Sequence, residues 1–218
     1  MRMNKKTLSA AIAASALFLS AASLANAAVP ESGKLDFTVL RGGDEIGTHR
    51  LEFAREGDEL KVDIDTDIAV KMLGIAVYRF EHEGHETWRD GQLVSLESKT
   101  NDDGTPHRLA VNAADGKLVV NGDARQGDEN PDVIPASLWN EDLVKQNALL
   151  NTLDGSSMDV TVREVGPETV EVNGEPVTAT HYSVTGKLER ELWYDAAGVL
   201  VQVKFAGSDG SEISYVLK

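Results

Sequence analysis

Cysteine is absent from this 218-residue chain. That excludes disulfides, thiolate metal sites, a thiol nucleophile and a lipid anchor built on a cysteine at a cleavage point. Positive charge is in short supply: 21 Lys and Arg stand against 36 Asp and Glu. So acidic a surface repels phosphate backbones and anionic headgroups, so nucleic acid is excluded as an expected partner. Long apolar runs are lacking after the first 27 residues, so no stable membrane insertion is expected. Catalytic signatures are missing too. There is no Gly-x-Ser-x-Gly elbow, no Ser-x-x-Lys and no glycine-rich phosphate loop, Gly42-Gly43 standing alone.

The N-terminus is distinctive. Arg2, Lys5 and Lys6 precede an uncharged Ala/Leu/Ser-rich run from Leu8 to Leu24, and Ala25-Asn26-Ala27 supplies a small-x-small cleavage site. This order predicts a secretory signal peptide over residues 1–27 and one β-rich domain over 28–218. The run is too diluted with Ala and Ser for a spanning helix. Removing it leaves 18 basic against 36 acidic residues, a formal charge of −18. A periplasmic location is expected, with full secretion as the alternative.

From Lys34 onward the pattern has period two, broken by turns. Leu35, Phe37 and Val39 alternate with polar neighbours, as do Val62, Ile64, Thr66 and Ile68, and later Val199, Val201, Val203 and Phe205. Turn chemistry recurs at Glu56-Gly57-Asp58-Glu59, Asp90-Gly91, Asp103-Gly104, Asp115-Gly116, Asn173-Gly174, Asp195-Ala-Ala-Gly198 and Asp209-Gly210. There is no room for the crossover helices of a parallel sheet. The fold class is therefore all-β: an antiparallel meander forming a curved sheet or open barrel, with one short helix. That helix is expected within Pro135–Leu150, where apolar residues fall at 138, 139, 143, 144, 148 and 149 and Asn140 resembles an N-cap followed by Glu141 and Asp142. The polar stretch from Asn121 to Pro135 reads as a loop or lid.

Asp63, Asp65 and Asp67 line one face of a strand, about 6.6 Å apart. If the 56–59 turn closes a hairpin, Arg50 opposes Asp65 and Glu52 opposes Asp63. The pattern reads as a solvated acidic face, with a weak calcium site as the lesser reading. His82 and His85 are weak metal candidates, because residues three apart on a strand face opposite sides unless Gly84 makes a bulge; a third ligand would come from His49, His107 or His181. Ser137 is a possible nucleophile with no partner identifiable by spacing. No cofactor is expected.

Trp139 stands apart from the other aromatics because it sits on the expected helix. Such a helix over the open face of a curved sheet either plugs it or roofs a concave apolar site. In the second case Trp139, Asn140 and Leu143, with the flexible apolar stretch at Met72 and Leu73, would hold a lipid or another apolar small molecule. The expected function is that of an exported non-catalytic envelope protein binding an apolar or amphipathic ligand or an envelope protein partner. The alternatives are a periplasmic hydrolase-like enzyme using His82 or His85 with nearby acids, and a structural envelope component.

Three groups of motifs carry a resemblance: Phe37-Thr-Val-Leu-Arg-Gly-Gly-Asp-Glu-Ile-Gly47; Ala136-Ser-Leu-Trp-Asn140 with Leu149-Leu-Asn-Thr-Leu-Asp-Gly155; and Leu192-Trp-Tyr-Asp195 running on to Phe205 and to Gly210–Leu217. Together they resemble a family of exported bacterial proteins known only as a domain of unknown function. The layout is also similar to the half-barrel of periplasmic lipoprotein carriers, which implies a curved sheet with helical cover sheltering acyl chains.

Overall fold

The computed structural model describes residues 28–218; the expected leader over 1–27 lies outside the described residues. The first half of the chain makes strands β1 (Lys34–Arg41), β2 (Asp44–Glu56), β3 (Glu59–Met72), β4 (Ile75–Arg89), β5 (Gln92–Asp102), β6 (Thr105–Ala114), β7 (Lys117–Gly122) and β8 (Gln126–Glu129). Two short strands, β9 (Ile134–Pro135) and β10 (Ala148–Leu150), bracket a 3-10 turn at Glu141–Lys145. The second half returns through β11 (Ser157–Val172), β12 (Glu175–Gly186), β13 (Arg190–Asp195), β14 (Leu200–Ala206) and β15 (Glu212–Leu217).

All fifteen strands form one sheet, in the order β8 to β1 and then β15 down to β9. Neighbours are antiparallel except β9 and β10, which are parallel. Strand β1 sits between β2 and β15, so the two ends of the described chain meet in the middle of the sheet. The free edges, β8 and β9, come from adjacent parts of the sequence. The result is the expected all-β, curved antiparallel meander, not closed into a barrel.

Turn chemistry explains the register. Asp90, Asp103, Asp115 and Asn173 each take a φ near +50° and are followed by glycine, the backbone that a two-residue hairpin needs to match strand twist. The 56–59 turn sets Arg50 opposite Asp65 and Glu52 opposite Asp63, as the sequence implies.

Two expectations are corrected. The 135–150 segment is not a continuous helix but a short strand, a five-residue 3-10 turn and another short strand. Its near-helical spacing arises because Leu138, Trp139, Leu143 and Leu149 all turn into the core from an irregular backbone. Asn140 nevertheless caps the turn, its side chain accepting from the Asp142 amide at 3.0 Å. The 121–135 stretch is not a lid: β8 within it pairs with β7.

The concave face carries one large apolar cluster. Leu35, Phe37, Leu51, Val62, Leu96, Val111, Leu118 and Leu192 are all buried there with Trp88 and Trp139. Segment 133–156 packs into this concavity as a plug. Its approach at Gly122 is so close that an added Cβ would collide with the Asp154 carbonyl oxygen. Gly122→Ala is therefore expected to cost about 1–3 kcal/mol by forcing the loop off β7, measured as a fall in the urea midpoint without a change in slope.

Candidate functional site

Strand β4 puts His82, Gly84, Glu86 and Trp88 on the concave face by its period of two. Glu86 is thus a carboxylate in the core, 2 % exposed. Its Oε2 accepts two indole N–H groups, from Trp88 at 2.8 Å and from Trp139 at 2.9 Å. The two tryptophan rings meet edge to face at 5.5 Å, and Phe53 packs edge-on against Trp139 at 5.3 Å. Burial pushes the Glu86 carboxyl above its ordinary value, while the two indole hydrogen bonds pull the other way. Its second oxygen and the Ser137 hydroxyl are the two buried side-chain atoms without a hydrogen bond among the described residues. Burial favours the neutral acid and the two indole donors favour the carboxylate, burial being the larger effect.

Other bonds fasten the same segment. The Tyr194 hydroxyl donates to the Leu138 carbonyl at 2.6 Å, which holds Leu138 at a φ of +69°. The Ser98 hydroxyl donates to the Thr152 carbonyl at 2.5 Å. The Trp-Asn and Trp-Tyr-Asp motifs thus meet in space as a fastening between plug and sheet.

A second polar feature crosses the concave face. The register places His49, Thr66, His82, Thr100 and His107 side by side on β2 to β6. His49 Nδ1 pairs with the Thr66 hydroxyl and His82 Nδ1 with the Thr100 hydroxyl, both at 2.7 Å. Burial lowers both histidines, to about 3 for His49 with His82 contributing, and to about 4 for His82. They are neutral hydrogen-bonding groups at pH 7.

The metal candidates separate. His82 points inward, whereas His85 points outward and contacts Asp63 at 2.6 Å. The strand spacing of about 4.8 Å puts His49 and His107 each two strands, roughly 10 Å, from His82. No group of three ligating side chains comes together among the described residues. On the outer face Asp65 meets Arg50 at 3.7 Å, and Arg50 also reaches Asp36 at 3.6 Å. The acidic strand is a solvated face.

The residues expected to share a ligand site also separate. Trp139, Asn140 and Leu143 are buried at 1, 2 and 0 % exposure, inside the plug. Trp88 borders two recesses, one of about 150 Å³ shared with Trp139 between the Gly57-Asp58 and Asp90-Gly91 turns and one of about 270 Å³ shared with Asp142 and Lys145, both below the 300 Å³ or so of a small-molecule pocket. Met72 and Leu73 lie at the other end of the β3–β4 hairpin, roughly 40 Å along the strands, because Leu60 pairs with Trp88 while Met72 pairs with Ile75.

That far end differs from the other hairpins in the apolar side chains it exposes. Strand β2 stops pairing at Gly47–Ile68 and β5 at Asp102–Phe80, so Ala69–Met72 and Ile75–Tyr78 project as a two-stranded ribbon. Leu73 is at its apex, fully exposed, at a φ of +50° where comparable turns use Asp or Asn. A leucine in that conformation costs about 1 kcal/mol or more. Met72, Ile75, Val77 and Tyr78 are exposed as well. The sequence marks this stretch by five apolar residues beside one Gly.

Residues 37–218 match a family model described as a domain of unknown function, DUF6134. The chain belongs to that family. As a DUF6134 protein it resembles, in fold, the crystal structure of a beta-barrel-like protein of domain of unknown function DUF1849 from Brucella abortus. The TM-score is 0.55 at 13 % identity, covering 85 % of this chain and 94 % of that one. No protein of curated function matches this DUF6134 chain.

Proposed function

We propose that the protein is an exported, non-catalytic envelope protein that binds an apolar or amphipathic partner on its surface and not inside its sheet. The observation that carries this reading is the pairing of a filled concavity with a bare apolar ribbon. Trp139 occupies the place a ligand would take, and exposed apolar side chains are gathered at residues 72–78. An isolated exposed leucine is ordinary, but a contiguous group on a projecting element marks an interaction site. The polar side chains support the non-catalytic half of the reading. His49 and His82 are tied to threonines, His85 to Asp63, and His181 to Glu191 at 2.6 Å.

The test is native mass spectrometry and crosslinking of the full chain, expressed with its leader and purified gently from a periplasmic extract. A bare polypeptide mass, with crosslinks concentrated at photoreactive groups placed at 72–78, is the expected outcome. A stoichiometric adduct of lipid size, retained when the ribbon is altered, would place the ligand in the concavity and overturn the surface reading.

A further inference from the structure

We propose that the β3–β4 ribbon dips into the interface of a zwitterionic lipid bilayer and holds the protein at a membrane surface by a shallow, reversible contact. This rests on the surface-binding reading above and names its partner.

The ribbon is two-faced. Its register puts Val70 opposite Tyr78 and Met72 opposite Ile75 on one face, and Ala69 opposite Arg79 and Lys71 opposite Ala76 on the other. One face is therefore apolar with a phenol at its base, and the other carries two cations on long stems. Leu73 leads at the apex. Between Ala69 and Arg79 there is no carboxylate. The first ones come further down, at Asp67 and Glu81 on the ribbon's own strands and at Asp102 and Asp103 on the neighbouring turn. Asp102 accepts from the Tyr78 hydroxyl at 2.9 Å and the Asp103 amide donates to the Arg79 carbonyl at 2.8 Å.

Read along its length, the ribbon runs from apolar apex, through tyrosine with lysine and arginine, to carboxylates. This is the depth order of hydrocarbon, headgroup region and water. Lys71 can extend its stem along its own face of the ribbon and lift its charge to the phosphates, while Arg79, paired with Glu81 at 3.5 Å, marks the ribbon's base. The projection is about four residues, roughly 13 Å, enough to reach the acyl boundary and too short to span. The acidic body, with 36 carboxylates in the chain, selects zwitterionic over anionic lipid.

The experiment is flotation of the full chain, exported and purified, with phosphatidylcholine–phosphatidylethanolamine vesicles, for the native protein and for Leu73→Asp and Ile75→Asp. Aspartate at 73 suits the turn, since Asp90, Asp103 and Asp115 adopt the same φ, so a loss there is not a folding defect; unchanged tryptophan fluorescence confirms it. The native protein is expected to float, the variants to lose at least tenfold in lipid partitioning, and added phosphatidylglycerol to weaken binding. Native protein that stays at the bottom of the gradient, or variants that float as well as it does, would overturn the proposal. If ribbon crosslinks to a protein persist while flotation fails, the surface reading stands and the lipid assignment falls. If both fail, the surface reading falls with it.

Discussion

Trp139→Ala is expected to destabilise the protein by about 4 kcal/mol or more and to release the plug from the sheet. Truncating a buried tryptophan costs about 3–5 kcal/mol in lost burial and cavity formation, and Trp139 is the largest of the side chains less than 2 % exposed. The change also removes one of the two donors that stabilise the Glu86 carboxylate, worth a further 1 kcal/mol or so. Companion substitutions separate packing from hydrogen bonding. Trp139→Phe keeps most of the ring and loses the N–H, and is expected to cost about 1–3 kcal/mol. Glu86→Gln keeps an acceptor for both indoles, removes the cost of ionising a buried group and gives Ser137 an amide donor, so stability at pH 7 should hold or rise. Glu86→Leu strands two indole N–H groups and should cost about 2–4 kcal/mol. Urea unfolding followed by tryptophan fluorescence reads all four. A Glu86→Gln protein as unstable as Glu86→Leu would show that the charge, and not the acceptor, is what the tryptophans require.

Acid should unfold the protein through its concave histidines. His49 and His82 titrate at about 3 and about 4 when folded, against 6.5 for the free side chain. A histidine whose folded value is depressed contributes stability that is complete above pH 6.5 and is lost as pH falls toward the folded value, because only the unfolded chain takes up the proton in that window. At pH 5 each histidine costs about 2 kcal/mol, roughly 4 kcal/mol together. Glu86 acts in the opposite direction. Its raised value makes its ionised form the costly one, so acid relieves that site. The urea midpoint measured from pH 7.5 to 4.5 is expected to fall steeply below pH 6.5, and His82→Asn should reduce the slope by about half while keeping a group for Thr100 to bond. An unchanged profile in both His49→Asn and His82→Asn would assign acid sensitivity elsewhere.

The strands were legible in the sequence because turn chemistry and alternation agreed. Asp-Gly and Asn-Gly pairs punctuated runs whose apolar residues kept a period of two. The plug was legible as a special segment but not in its shape. Leu138, Trp139, Leu143 and Leu149 satisfy helical spacing, yet their burial comes from packing into a concave sheet, and such tertiary contacts leave no local periodicity. Glu86 went unnoticed because an acid in a strand is normally outward. Its parity with Trp88 was the available signal, since residues two apart share a face. The row of histidines and threonines was equally recoverable in principle, by counting outward from each hairpin turn, because each turn fixes which residues face each other across the strands. Met72 and Leu73 stand out in the sequence as an apolar stretch, and both are exposed, but no local signal separates them from Trp139. Only the register shows that one hairpin carries them to its opposite end.

The seam between β1 and β15 bears on how the molecule is made. Phe37 and Val39 lie opposite Leu217 and Tyr215, so β1 waits for β15, the first described strand for the last. Until Glu212–Leu217 has emerged, β1 keeps one side open, with two of the most deeply buried side chains on it. Each hairpin can form as it appears, but the two halves of the sheet join only when β15 is present. A chain cut short by a few residues therefore loses more than a terminal strand. It exposes an unsatisfied edge in the middle of the sheet, the kind of surface that pairs with other chains. The arrival of β15 is thus built into the topology as a condition for completing the sheet at β1.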